Sequence, residues 1–306
     1  MTLLSRPASD REMTKIVPGE PLIAFHDVHI GFEDAEILRG ISFEVWPGET
    51  KVLLGETGAG KTLIMKLAAG LMRADSGGIW VMGHNLADLT EKELLDFRRH
   101  LGFVFQEGAL FDSLTVADNV AFRLREEHVD ESEIETRVSE ALRFVEMEPA
   151  IDKFPSELSG GMRRRVSIAR ALVDHPPLVF YDSPTAGLDP VTSQTIIALV
   201  MRGRDLQGVT SLLATHRVQD AFGLARFRFD QGANRIVPAN GSGTTNVQKG
   251  PGASPARPQP PAGENGGARP TNVMVLRDGH IYFEGSAEDV LKSSDAYVKE
   301  FLASAE

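Results

Sequence analysis

The chain has 306 residues and 33.3 kDa, 42% of them hydrophobic, which is enough to bury a sizeable core and excludes wholesale disorder. Thirty-two basic against forty-three acidic side chains leave a net charge of −11, so a general electrostatic grip on nucleic acid or an anionic bilayer is disfavoured and no nucleic-acid partner is expected. The lack of Cys excludes a disulfide framework, a thiol nucleophile and a Cys-ligated metal.

In chain order, residues 1–20 form an arm that mixes Arg6, Asp10, Arg11, Glu12 and Lys15 with Pro7 and Pro18, and so lack a signal-peptide apolar core. No apolar run approaches the roughly 18 residues of a spanning helix, so the chain is expected in the cytoplasm, tied to a membrane only through a protein partner. Residues 21–230 read as one domain. Strand-like runs at Ile41 to Trp46, Lys51 to Leu54, Ile79 to Met82, Leu178 to Tyr181 and Val209 to Ala214 alternate with helical stretches such as Lys61 to Leu71 and Val191 to Arg204. That alternation predicts an α/β domain with a mostly parallel sheet. Between about 92 and 173 the pattern turns helical, with Ile134, Val138, Leu142 and Val145 on one face of Glu131 to Glu146, and predicts an inserted helical subdomain.

Residues 231–270 hold 8 Gly and 7 Pro, no aromatic, and only Ile236, Val237 and Val247 as large aliphatics, which predicts a disordered insert. Structure is expected to resume over 271–306 and complete the same domain. Asn272 to Leu276 and His280 to Glu284 flank Arg277-Asp278-Gly279, a hairpin signal, and Ser286 to Ala303 has helical spacing for one closing helix.

Chemistry concentrates at three places. Gly55-Glu56-Thr57-Gly58-Ala59-Gly60-Lys61-Thr62 follows a strand and opens a helix, the context of a phosphate-binding P-loop. Its glycines let backbone N–H groups face the phosphates, Lys61 carries the charge for the outer ones, and the Thr62 hydroxyl is placed to ligate Mg²⁺. Leu178 to Tyr181 ends in Asp182, and a carboxylate at the carboxyl end of a buried parallel strand can hold Mg²⁺; by itself a turn-forming Asp explains it equally well. Leu158-Ser159-Gly160-Gly161-Met162 precedes the helix Arg163 to Val173 and reads either as a second anion cradle or as an ordinary Ser N-cap. Arg163, Arg164 and Arg165 read as a solvated helix face, or as a contact for a partner.

With these motifs in this order the sequence resembles the nucleotide-binding subunits of ABC transporters, over roughly Leu22 to Asp230 and again from Asn272. The resemblance implies a RecA-like P-loop NTPase core with an antiparallel β subdomain and the helical subdomain that carries the signature. It implies ATP and Mg²⁺ as ligands: Gly55 to Thr62 as P-loop, Leu158 to Met162 as signature, Gln106 as the Q-loop residue on Mg²⁺ and the attacking water, Asp182 as the end of Walker B, and His216 as the switch. It also implies a head-to-tail homodimer in which the P-loop of one subunit and the signature of the other enclose each ATP. Phe32 stands where the family stacks an aromatic on adenine, or is a plain core Phe; Gln106 alone would pass for a solvated loop amide.

The pattern breaks at Ser183, where the family has the Glu that polarises the attacking water; Ser is no general base near neutral pH. Arg217 follows the switch His where the family often has an acid. Two readings stay open: an ATPase that turns over slowly, or a nucleotide-gated binding module that scarcely hydrolyses. The stretch from Phe105 to Phe122 and the Met162 of the signature are similar to the ATPases of Mla/MCE phospholipid-transport systems, which implies an MlaE-like permease docked near Gly108 to Phe122, a periplasmic MCE protein beyond it, and a place on the cytoplasmic face of the bacterial inner membrane. A small-solute importer is the alternative.

Overall fold

A computed structural model of the chain describes residues 19–33, 35–239 and 271–303. Most of the arm and most of the Gly/Pro-rich stretch therefore lie outside the described residues.

The chain enters through β1 (Ile23–Phe32) and β2 (Ala35–Val45), an antiparallel pair, then β3 (Thr50–Gly55) and α1 (Lys61–Ala68). β4 (Ser76–Val81), β5 (His84–Asn85), α2 (Glu91–Arg98) and β6 (Leu101–Val104) follow. Three helices come next, α3 (Val116–Glu126), α4 (Glu131–Phe144) and α5 (Gly160–Leu172). After them run β7 (Leu178–Asp182), α6 (Pro190–Arg202), β8 (Thr210–Thr215), α7 (Val218–Arg226), β9 (Phe227–Asp230) and β10 (Arg235–Pro238). β11 (Thr271–Arg277), β12 (His280–Ser286), α8 (Ala287–Lys292) and α9 (Ala296–Ala303) complete the described chain.

The six-stranded sheet has the order β12-β11-β3-β8-β7-β6, parallel except for β12 at one edge, and a separate antiparallel sheet has the order β2-β1-β4-β5. β3, β7 and β8 are buried along their whole length, as strands covered on both faces must be. Their side chains alternate between two cores with the period-2 geometry of a strand. Val52, Leu54, Val179, Tyr181 and Leu213 face the helical layer of α3 to α7, while Leu53, Phe180, Leu212 and Ala214 face α1 and the antiparallel sheet. This is the mixed α/β P-loop architecture with its antiparallel β subdomain.

Several expectations need correction. β6 lies within the 92–173 stretch yet pairs with β7 as the edge of the main sheet, so the helical layer begins only after it. β1 escaped the sequence reading because Asp27, at φ 49°, and successive register shifts break its alternation. β10 falls inside 231–270, where its Ile236 and Val237 pair opposite Phe229 and Arg228, so disorder is not the state of that stretch from Gln231 onward. The closing helix is two helices: the Asp295 carboxylate accepts the N–H groups of Tyr297 and Val298 and caps a new start. The hairpin at Asp278-Gly279 forms as expected, with both residues at positive φ as a tight two-residue turn requires.

Candidate nucleotide-binding site

Because β3, β6, β7 and β8 run parallel, their carboxyl ends collect at one edge of the sheet, where α/β proteins place ligands. Gly55 ends β3, Asp182 ends β7, Gln106 follows β6 and His216 follows β8, the last two exposed in loops. Residues far apart in sequence thus share one rim.

The loop from Gly55 to Gly60 leaves β3 and opens α1 with Gly60 as N-cap at φ 94°, with no side chain capping the helix and no acid in its first turn. The first N–H groups of α1 and the positive end of its dipole are therefore left without a side-chain cap. Gly55 is sterically required, since a Cβ there would lie 2.7 Å from the Leu276 backbone carbonyl, while Gly60 is favoured by its φ of 94°. Lys61 is buried, and its Nζ donates to the carbonyls of Gly55 at 2.8 Å and Glu56 at 2.7 Å. Burial pulls its pKa below the usual lysine value, while the charges of Asp182 and Glu56 oppose that shift. An ammonium folded onto its own loop needs a stronger anion than two carbonyls, and a polyphosphate would supply it.

The Thr62 hydroxyl donates to both oxygens of Asp182, at 3.0 and 3.2 Å, across 120 residues. A hydroxyl facing a carboxylate is a hard oxygen donor pair. Those two groups fit Mg²⁺, which takes few protein ligands and fills its sphere with phosphate and water. Phe32, at the end of β1, is 49% exposed; the plain-core reading fails, and its ring face is free to stack.

Ser159 caps α5, its Oγ accepting the Met162 N–H at 3.3 Å, which is the N-cap reading of that segment. Gly161 is forced to be small by Thr192, whose Cγ2 would lie 2.4 Å from a Cβ. Leu158 is buried, and no hydrogen bond among the described residues joins Leu158 to Met162 with Gly55 to Thr62 of the same chain.

Ser183 sits at φ 48° directly after β7, its N–H donating to the Ala214 carbonyl and its Oγ 3.4 Å from Asp182 Oδ1. Behind it, Thr185 and Thr215 both donate to the buried carboxylate of Asp220, which joins the loop after β7 to the loop after β8. Burial raises the Asp220 pKa; the two hydroxyls and the charges of Arg217 and His216 lower it. Arg217 donates to Ser193 Oγ at 2.8 Å, so it braces the same junction.

The solvated-face expectation for Arg163 to Arg165 is overturned. Arg164 is 5% exposed and donates to the Phe105 carbonyl, Arg163 to that of Leu158, and Arg165 to that of Val145. Asn119 was also missed: fully buried, it bonds the backbone of Phe111, Leu114 and Thr115 and shapes the segment after Gln106. A lone amide in the apolar stripe Val116, Val120 and Leu124 was the available signal.

The model of the ABC transporter family matches residues 38–186. The intermembrane phospholipid transport ATP-binding protein MlaF of Haemophilus influenzae is 33% identical over 205 residues, 67% of this chain and 78% of that protein. The chain belongs to the ABC transporter ATP-binding family. Within that family the methionine import ATP-binding protein MetN of Rhizobium johnstonii is 37% identical, over 77% of this chain and 65% of that protein. Against this and similar curated relatives the chain spans 55% to 65% of their length. A dimeric post-hydrolysis structure of the ATP-binding cassette MJ0796 with ADP and Pi superimposes with TM-score 0.66 at 23% identity, over 87% of this chain and 98% of that one, which is a likeness of fold. Among the described residues no helix is long and apolar enough to cross a membrane.

Proposed function

We propose that the chain is the ATP-hydrolysing subunit of a membrane transporter. The contact between Thr62 and Asp182, beside a buried Lys61 in an uncapped Gly-rich loop, carries this reading. Lys61 would shift from its two carbonyls to the outer phosphates, and the α1 N–H groups would take the remaining oxygens. Thr62 and Asp182 would hold Mg²⁺, which would supply charge neutralisation for the transferred phosphoryl group. Phe32 would stack on adenine. Gln106 and His216 would orient water and the terminal phosphate from the two flanking loops.

The signature at the N-terminus of α5, apart from the P-loop of its own chain, supports a head-to-tail dimer in which each ATP takes Ser159 to Gly161 from the partner. Residues 21–230 and 271–306 would act as one nucleotide-binding unit, with β11 paired to β3 beside the P-loop. A permease would dock on the helical layer near Gly108 to Phe122 and hold the chain at the cytoplasmic face of the membrane. The Phe105 to Phe122 stretch and Met162 favour an Mla/MCE-type lipid transporter with an MlaE-like permease. Co-purification with a solute-importer permease alone would refute that cargo.

The second reading, a nucleotide-gated module with little turnover, is favoured by Ser183, whose hydroxyl cannot take a proton from water near neutral pH. Phosphate release by purified protein, compared with Lys61→Ala, tests the first reading: the wild type is expected to exceed the variant, and equality of the two removes the enzyme.

A further inference from the structure

Gln106 is held in a specific way that the P-loop chemistry leaves unused. Phe105 to Gly108 is a closed turn, with the Gly108 N–H donating to the Phe105 carbonyl at 3.0 Å and Gly108 at φ 81°. The Phe105 carbonyl accepts a second bond, from Arg164 Nη1 at 2.8 Å, so both of its lone pairs are engaged. The Gly108 carbonyl accepts from Arg170 Nη2 at 3.0 Å. Both arginines belong to α5, the helix that begins at the signature.

Neither guanidinium has a carboxylate within ion-pair distance among the described residues, although Arg164 is 5% exposed. A buried cation without an ion partner is costly, and it persists only where its remaining bonds are worth keeping. Here those bonds end on two carbonyls, one on each side of Gln106. Burial lowers the Arg164 pKa, and the charges of Asp182 and Glu107 oppose that shift without cancelling it. Phe105 is further seated by stacking on Phe103 at 4.3 Å, and Arg170 lies 5.8 Å from the Phe111 ring.

We infer that Arg164 and Arg170 are positioning residues that clamp the Gln106 turn to α5, so that the turn and the signature move as one body. The chain's own nucleotide would be sensed at Gln106, and the signature offered to the second copy would feel it through these two side chains. The inference rests on the ATP-binding reading above and adds a route between the two half-sites of a single chain.

The test is a double-mutant cycle on full-length protein, Arg164→Gln and Gln106→Ala singly and together, with Arg170→Gln as the second clamp variant and Arg164→Lys as the conservative one. Arg164→Gln is expected to lower kcat about tenfold or more with ATP affinity within about twofold, to add less than about twofold in the Gln106→Ala background, and to be partly rescued in Arg164→Lys. Unchanged kcat, or additive losses with Gln106→Ala, overturns the clamp. Hydrogen exchange of dilute monomer with and without Mg·ATP gives a readout that needs no turnover. Nucleotide is expected to alter exchange at the P-loop, at 105–108 and at 158–165 in the wild type, with the response at 158–165 lost in either clamp variant. Persistence of that response in the variants, or its absence in wild type whose P-loop responds, also overturns the inference. No response at the P-loop itself defeats the ATP-binding reading and the clamp with it, whereas a wild type that binds without turnover defeats hydrolysis alone and leaves the exchange result to decide.

Discussion

Restoring a carboxylate at position 183 is the sharpest perturbation available. Ser183→Glu is tolerated by the backbone in one respect, since the residue there already occupies φ 48° and the replacement meets the same left-handed strain that Ser does. The introduced group lands beside Asp182, because Ser183 Oγ is already 3.4 Å from Asp182 Oδ1. At a separation of about 5 Å and an effective dielectric of about 20, repulsion between the two carboxylates is about 3 kcal/mol, enough to lift the introduced pKa by about two units. A positioned base is worth about 10² to 10⁴ in rate, or about 2.7 to 5.4 kcal/mol of barrier, so the catalytic gain exceeds or matches the electrostatic penalty once the group is ionised. The assay is phosphate release at saturating Mg·ATP from about pH 5 to 9, with Ser183→Gln as the uncharged control. Expected is a gain over both wild type and control that grows as pH rises through about 6 to 7 and then levels off. A Glu variant no faster than the Gln variant at every pH refutes the argument that position 183 limits turnover.

Gly55→Ala puts a Cβ 2.7 Å from the Leu276 backbone carbonyl, which cannot rotate away, whereas Gly58→Ala meets nothing within 4 Å and carries only the strain of φ 88°. The first should lose ATP affinity by about tenfold or more and the second much less, by titration with a fluorescent nucleotide. Arg204 is 1% exposed and donates to the Leu224 and Phe227 carbonyls, Thr271 Oγ1 and Asp205. Arg204→Met removes the ion partner of Asp205, leaving it the Phe229 N–H, and should cost about 3 kcal/mol, read from the urea midpoint; a shift below about 1 kcal/mol would contradict the buried-pair argument. The His29 pKa is raised chiefly by its bond to Glu36; burial opposes this, and Asp27 adds to the rise. That stabilisation is present below the ordinary value of 6.5 and lost as pH rises through the raised one, so the small Tm advantage of wild type over His29→Gln should appear at about pH 5.5 and vanish by about pH 8.5.

Local pattern carried much of this protein. Gly55 to Thr62 is a contiguous device whose spacing alone encodes loop, helix start and charge, and the buried runs of β3, β7 and β8 announce parallel strands because both faces are covered. The order of motifs placed Gln106, Leu158 to Met162 and His216 in one family before any coordinates. Segment ends were less legible: β1 is bulged, β10 rests on two aliphatics in a Gly/Pro-rich stretch, and Asp295 restarts a helix that periodicity alone would continue.

Tertiary structure decided the rest, because it concerned partners distant in sequence. That Thr62 reaches Asp182, that Thr185 and Thr215 share Asp220, and that Arg164 grips Phe105 follow from strand order and register, which set separations no local window contains. An arginine in a run of three reads as solvated until the helix packs. Only packing shows that the middle one is buried and bonded to a backbone carbonyl 59 residues away, since burial depends on what the rest of the chain places over it.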